Sequence, residues 1–264
     1  MGLIQRRFSM GDSLALDTGL VGVVLAAGAG ARLRPLTGVL PKAMCPVNGV
    51  PMVDLALDRV RAVTPAVAVN IHHGRDALEP HVAGRAHLSI EPEALGTAGA
   101  LARLRSWIDG RDVLVHNADS WHDADVGAFV AGWQRDRPRL LTVIRDRPAD
   151  FGWREYAGLA LLPWRDVAAL PEEPAGLYEV SWRGRQSGDL ELVGHAGRFV
   201  DCGTPARYLA ANLMASEGRS VVAPDARVEG DVHETVVWSG ARVWPGERLH
   251  RAIRARQDIT VFVR

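Results

Sequence analysis

Residues Leu20 to Ala27 form an apolar run, broken only by Gly22, that stops at Gly28-Ala29-Gly30. A run that is apolar throughout, and not alternating, is what a strand covered on both faces of a parallel sheet requires. It commits the chain to an α/β architecture. Glycines directly after such a strand let the backbone turn sharply and come close to a ligand. Arg32, Arg34 and Lys42 stand just beyond the turn, with Pro35 and Pro41 stiffening the loop between them. A glycine turn followed by fixed cations can hold phosphates, because backbone N–H groups face the anion while side chains neutralise it. Two commoner phosphate loops are excluded. The Gly-Lys-Ser/Thr ending of a Walker A loop is missing. The third glycine of a dinucleotide fingerprint falls on Leu33, which removes the close helix approach.

Lys42 is the only lysine in the chain; the other 30 of the 31 basic residues are arginine. A lysine kept against that bias points to a position where a compact point charge is needed and a planar fork would not fit. The formal net charge is zero, so no global field draws the chain to nucleic acid or to an anionic membrane, and phosphate binding must be local. Cys45 and Cys202 are the only cysteines. They lack metal-site spacing and suit a reducing, cytoplasmic setting. No apolar run is long enough to span a bilayer, and residues 1–19 lack the apolar core of a signal peptide and read as a flexible extension.

From Leu25 to Thr37 the chain reads L-A-A-G-A-G-A-R-L-R-P-L-T, and from Pro41 to Val47 it reads P-K-A-M-C-P-V. This long, ungapped pattern resembles the N-terminal motif of the sugar-1-phosphate nucleotidyltransferases. Further stretches carry the same resemblance: Glu91 to Gly99 (E-P-E-A-L-G-T-A-G), Asn117-Ala118-Asp119, Tyr156 to Ala160 (Y-A-G-L-A) and Phe199 to Pro205 (F-V-D-C-G-T-P). The resemblance spans roughly Val21 to Asn212. It implies a Rossmann-like nucleotidyltransferase domain with a mostly parallel sheet and helices on both faces. The implied reaction joins an NTP to a sugar 1-phosphate, giving an NDP-sugar and pyrophosphate, with Mg²⁺ as cofactor.

Residue by residue, the resemblance implies catalytic roles for Arg32 and Lys42. It implies nucleotide contacts from Leu25, Ala26, Ala27, Gly28, Gly30, Glu91, Gly96, Thr97 and Ala98, and metal ligation by Asp119 and Asp201. Asn70 joins the nucleotide set because it ends a strand, where ligands bind in open α/β sheets. Glu155, Tyr156 and Gly158 fall on the sugar side, which is shortened here and has tyrosine where the family has asparagine. His72 and His73 are neighbours in a strand or turn, point to opposite faces, and read as hydrogen-bonding groups and not as a metal pair. The segment from Glu91 to Gly99 looks most like that of mannose- or heptose-1-phosphate guanylyltransferases, with N-acetylmuramate-1-phosphate uridylyltransferases close behind. Two other readings stand beside this one: a non-catalytic regulatory paralogue that binds a nucleotide sugar, and a cytidylyltransferase with a non-sugar phosphate acceptor.

Around these motifs, periodicity predicts helices at Pro51–Ala62, Arg75–Val82, Val126–Gln134 and Ala206–Ala215, and one opening near Ala98 under a Thr97 cap. It predicts strands at Ala66–Ile71, Ala86–Ile90, Asp112–His116, Leu140–Arg145, Leu177–Trp182 and Leu190–Gly194. The domain so outlined runs over residues 20–218. In residues 219–264 Val222 and Val228 begin a six-residue apolar period that Val237, Val243 and Leu249 repeat. That period predicts a rudimentary left-handed β-helix of about two coils, too few to stand alone, packed on the main domain or on a second subunit of a homo-oligomer.

Overall fold

The computed structural model describes residues 19–185, 188–256 and 259–263, so the extension expected before Gly19 lies outside the described residues. The apolar run is β1 (Leu20–Leu25). A short hairpin, β2 (Pro46–Val47) and β3 (Val50–Pro51), precedes α1 (Met52–Arg61), β4 (Val67–Ile71), α2 (Arg75–Val82) and β5 (His87–Ile90). Then come α3 (Gly96–Arg103), α4 (Arg105–Ile108), β6 (Asp112–Asn117), β7 (Ser120–His122) and α5 (Val126–Val130). A long hairpin of β8 (Arg139–Ala149) and β9 (Gly152–Leu162) leads through α6 (Trp164–Ala168) to β10 (Glu191–Gly194), β11 (Phe199–Asp201) and α7 (Pro205–Ala215).

Seven of these strands form one sheet in the order β10-β8-β9-β6-β1-β4-β5. Strands β6, β1, β4 and β5 are parallel neighbours and β10 runs parallel to β8, while β9 is antiparallel to both its neighbours. Side chains alternate across β1. Leu20 and Val24 enter a core with Val53, Leu57 and Val60 of α1 and Leu78 of α2. Val21 and Val23 enter a second core with Leu101 of α3 and Ile108 of α4. Both faces are therefore covered, which is why the run carries no polar residue. Leu25 stands beside Asn70 of β4 and Asn117 of β6, so three strand ends open at one level.

Two expected elements differ. Leu177–Trp182 is not a strand: Tyr178–Trp182 forms one wide helical turn. Leu177 and Trp182 are both buried while Val180 is exposed, a five-residue spacing that a wide turn satisfies and a two-residue alternation does not. The helix predicted to run to Gln134 ends at Val130. Beyond it Trp133 is buried and its indole Nε1 donates to the Arg137 carbonyl at 2.8 Å, an arrangement that folds the chain back.

The tail contributes β12 (Val221–Val222), β13 (Arg227–Val228), β14 (Asp231–His233), β15 (Val236–Val237), β16 (Arg242–Val243), β17 (Arg248–His250), β18 (Ala252–Arg256) and β19 (Ile259–Phe262). It pairs in parallel, one pass of chain on the next: Val222 beside Val237, Val228 beside Val243, Val232 beside Leu249. Strand β19 closes the stack antiparallel to β18. Val237, Val243 and Leu249 are buried between passes. Val236, Trp238 and Ile253 belong instead to a core shared with Cys45 and Val47 and with Tyr208 and Leu209 of α7. At its centre the fully buried Tyr208 hydroxyl donates to the Pro46 carbonyl and accepts from Trp238 Nε1 at 3.0 Å. We expect Tyr208→Phe to leave both groups unpaired and to lower unfolding free energy by about 1–3 kcal/mol. Urea unfolding measures this; an unchanged midpoint would show that the hydroxyl does not tie the tail down.

Candidate active site

The level at which β1, β4 and β6 end is where the polar side chains gather. After Asn117 the chain turns through Ala118-Asp119 into β7, and the Ala118 N–H donates to the Leu25 carbonyl at 3.0 Å, hooking the turn to the end of β1. Strand β11 runs antiparallel to β7 with Asp201 opposite Ser120, and the Cys202 N–H donates to the Asp119 carbonyl at 2.9 Å. The two aspartates are thus brought together from positions 82 apart in sequence, 201 less 119. Lys42 Nζ is in direct contact with Asp119 Oδ2. Arg207 Nη1 lies 2.9 Å from Asp201 Oδ2. A methyl placed on Gly203 would lie 3.0 Å from Arg32 Nη2 and 3.0 Å from Asp201 Oδ2, so both side chains border the bare Gly203.

Lys42 is buried, and its stem rests on the glycine turn. Gly30 has φ of 62°. A methyl there would meet Thr37 Cγ2 at 2.8 Å and Lys42 Cβ at 2.9 Å. Thr37 Oγ1 also donates to the Gly30 carbonyl at 3.1 Å. Only glycine satisfies both the left-handed backbone and the close approach. In front of this turn lies a cavity of about 290 Å³ lined by Gly28, Ala29, Arg34, Lys42 and His73. His73 Nδ1 lies 3.1 Å from the Ala27 carbonyl and His72 Nδ1 lies 3.0 Å from the Glu91 carbonyl. The two rings are not on opposite faces as expected but meet edge-on at 4.4 Å, because the chain turns after β4 and each ring reaches back to a separate carbonyl.

On the far side of β1 the Ala26 N–H donates to Asn70 Oδ1 at 2.7 Å, and Asn70 Nδ2 donates to Glu91 Oε1 at 2.8 Å. The second Glu91 oxygen accepts from the Leu95 N–H at 3.3 Å. Burial pushes the Glu91 carboxyl upward, and its hydrogen bonds from Asn70 and Leu95 work the other way. Asn70 and Glu91 therefore form a buried brace linking the turn after β1 to the loop before α3. Thr97 does not cap α3: it lies inside the helix, and its Oγ1 accepts from the Leu177 N–H at 2.7 Å. That long-range donor takes the hydroxyl away from the helix end. Gly96 and Ala98 abut the chain at Ala175, whose carbonyl accepts from the Ala98 N–H at 2.9 Å.

On the expected sugar side, Gly158 has φ of 78° and packs on Ser120, whose Oγ would lie 2.1 Å from an added methyl. The Glu155 carboxylate is engaged by Arg145 Nε. Tyr156 stacks edge-on against Trp182 at 5.0 Å, and its buried Oη has no hydrogen-bond partner among the described residues. Burial, reinforced by the Asp119 charge, raises the phenol well above its ordinary value, so it stays a neutral donor.

Two features escape a reading of the sequence by spacing. Arg207 stands six residues after Asp201, inside the G-T-P-A-R-Y stretch, where a signal was present in the motif itself. His116 and His122 are in contact through their Nε2 atoms at 3.1 Å. The Ala124 N–H donates to His122 Nδ1, so His122 Nε2 carries the proton and donates to His116, whose Nδ1–H donates to the Asn117 carbonyl. Burial lowers His116 to about 4 and His122 to about 2, so the pair is neutral beside the carboxylate turn.

A glycine turn on a buried lysine, facing paired carboxylates at the open end of a parallel sheet, defines a phosphoryl-handling α/β enzyme. The sequence matches the nucleotidyl transferase family over residues 21–170, more than half of its length, and the chain belongs to that family. It is 27% identical over 235 residues to the N-acetylmuramate alpha-1-phosphate uridylyltransferase of Caulobacter vibrioides, covering 75% of this chain and 97% of that one. It is 26% identical over 262 residues to the mannose-1-phosphate guanylyltransferase of Mycobacterium tuberculosis, covering 86% and 72%. The solved structure of a mannose-1-phosphate geranyltransferase from Thermus thermophilus superposes with a TM-score of 0.71 over 93% of this chain and 95% of its own, at 17% identity. At that identity the likeness speaks for the fold alone, and it extends well past residue 170.

Gly30→Ala should cost about 1–2 kcal/mol of stability from its backbone conformation and, by displacing the Lys42 stem, lower turnover at least tenfold. A turnover equal to wild type would separate Lys42 from the turn. The histidine pair sets a pH response. Both folded values lie below the ordinary value of about 6.5, so on acidification the unfolded chain takes up protons first. The stability contributed is present above about pH 6.5 and is lost as pH falls toward about 4, at up to about 1.4 kcal/mol per pH unit for each ring. Urea midpoints between pH 7.5 and 5 should show the fall, and His122→Gln should flatten it; an equal slope in the variant would assign it elsewhere.

Proposed function

We propose that the protein transfers a nucleotidyl group from an NTP to a sugar 1-phosphate, releasing pyrophosphate. The observation that carries this reading is the contact of Lys42 with Asp119 in front of the glycine turn, with Asp201 closing the same corner from β11. The relatives named for such reactions support it, one of them covered over 97% of its length. We take UTP with N-acetylmuramate 1-phosphate and GTP with mannose 1-phosphate as the first substrate pairs to assay.

In this reading the backbone N–H groups of Gly28 to Gly30 bind phosphate oxygens, and Lys42 and Arg32 offset the charge that develops there. The cavity beside Gly28, Arg34 and His73 receives the departing pyrophosphate. The attacking sugar phosphate is already an anion, so neither aspartate has to remove a proton. Asn70 and Glu91 hold the turn and the α3 loop in register around the base. Tyr156, enclosed against Trp182, helps wall the acceptor side as a neutral group. Asp119 and Asp201 offer oxygen atoms only, the set a hard cation takes. These two carboxylates would hold Mg²⁺, which when bound supplies positive charge to the phosphates. Two buried free thiols agree with a cytoplasmic setting. No described helix is long and apolar enough to cross a membrane.

One observation favours the second reading, a regulatory protein that binds without turnover: one oxygen of Glu155 is already taken by Arg145, which reduces what it offers a sugar hydroxyl. We read the tail as a rudimentary left-handed β-helix serving stability and self-association, with Val222 and Phe262 exposed for the latter. Release of pyrophosphate from a panel of NTPs and sugar 1-phosphates separates the two readings: binding without release selects the regulatory one. With whichever substrate pair is active, Asp119→Asn and Asp201→Asn should each abolish turnover while leaving the fold intact. Lys42→Arg should lose about 10²–10³-fold in turnover, as for other positioned charge donors, because the fork must fit a pocket shaped around an ammonium. Near wild-type release by any of the three would remove that residue from the proposed machinery.

A further inference from the structure

The tail places two histidines and a glutamate together on its surface, away from the site described above. His233 and His250 are register partners on the parallel pair β14 and β17, with rings 5.1 Å apart and tilted by 32°. Glu234 follows His233 at the corner, and its Oε2 lies 3.9 Å from His250 Nε2. One ligand atom from each of the three falls within 4.8 Å of the others. Both histidines are exposed, so their rings are reachable from solvent.

The backbone beneath them is fixed. The buried Thr235 Oγ1 lies 2.9 Å from the His233 carbonyl and 3.1 Å from the Leu249 carbonyl, bridging the two passes of chain. The Arg251 N–H donates to the same His233 carbonyl at 3.1 Å. A site whose ligands project from adjacent, hydrogen-bonded strands has its geometry set before an ion arrives. Two imidazoles and one carboxylate suit a borderline divalent cation and leave a further position for water. With bonds of about 2.0–2.2 Å such an ion needs its ligands roughly 3.3–3.6 Å apart, a closure that rotation of two exposed rings supplies. One group competes: Arg251 Nη1 lies 3.1 Å from Glu234 Oε2.

We propose that His233, Glu234 and His250 form a surface site for a zinc-class divalent cation that clamps successive passes of the tail. Titrating the full chain with zinc chloride, and separately with nickel chloride, in excess Mg²⁺ by calorimetry tests it. One equivalent should bind in the micromolar range, and the protein should melt higher in its presence. The double variant His233→Ala/His250→Ala should lose that equivalent and the shift in melting, while melting in chelator like the wild type. Arg251→Gln should tighten binding a few-fold, by freeing the carboxylate. The proposal is overturned if the double variant binds the same equivalent, or if the wild type binds none at about 100 µM free metal, where a micromolar site would be saturated. Asp119→Asn/Asp201→Asn should keep the equivalent; its loss there would move the ion to the carboxylate corner and equally overturn the assignment.

Discussion

The last peptide of β1 is where the two halves of the site are joined. The Leu25 carbonyl accepts from Ala118, which fixes the turn that carries Asp119, and the next N–H, that of Ala26, donates to Asn70 and so to Glu91 and Leu95. One peptide plane therefore sets the carboxylate corner on one flank and the α3 loop on the other. Both hydrogen bonds lie in the protein interior, where leaving a partner unmade carries the full desolvation penalty. The stiffness of the site follows from the sheet, not from the loops that decorate it.

Charge is distributed in keeping with a neutral chain. Lys42 and Arg32 face Asp119 and Asp201, and Arg207 backs the second carboxylate. Three cations against two carboxylates leave this corner one charge positive within a chain whose formal net charge is zero, so attraction for a phosphate acts at close range. The neutral histidine pair behind β7 fits the same logic. It satisfies the Asn117 carbonyl without adding a cation beside the turn.

The sheet and the phosphate turn were legible because their signals are local: an apolar run, a glycine pair, prolines at fixed offsets. The meeting of Asp119 with Asp201 was legible only through the family resemblance, since nothing in the intervening residues fixes the approach of β11 to β7. What misled or was lost depended on partners far along the chain. Thr97 looks like a cap until Leu177 takes its hydroxyl. Glu91 looks free until Asn70 and Leu95 occupy its oxygens. Leu177–Trp182 has the composition of a strand, but its two large apolar anchors lie five apart and require a wide turn. His116 and His122 are a contact between two strands joined by a tight turn, and neither residue alone carries a sign of it.

The Tyr208 hydroxyl joins Trp238 in the tail to the carbonyl of Pro46, and Pro46 lies in the same short segment as Lys42. The tail and the phosphate loop thus share a single hydrogen-bonded node and cannot shift independently without breaking it. Linkage makes such a connection reciprocal: whatever orders the loop from the nucleotide side also orders the tail, and whatever grips the tail is felt at the lysine.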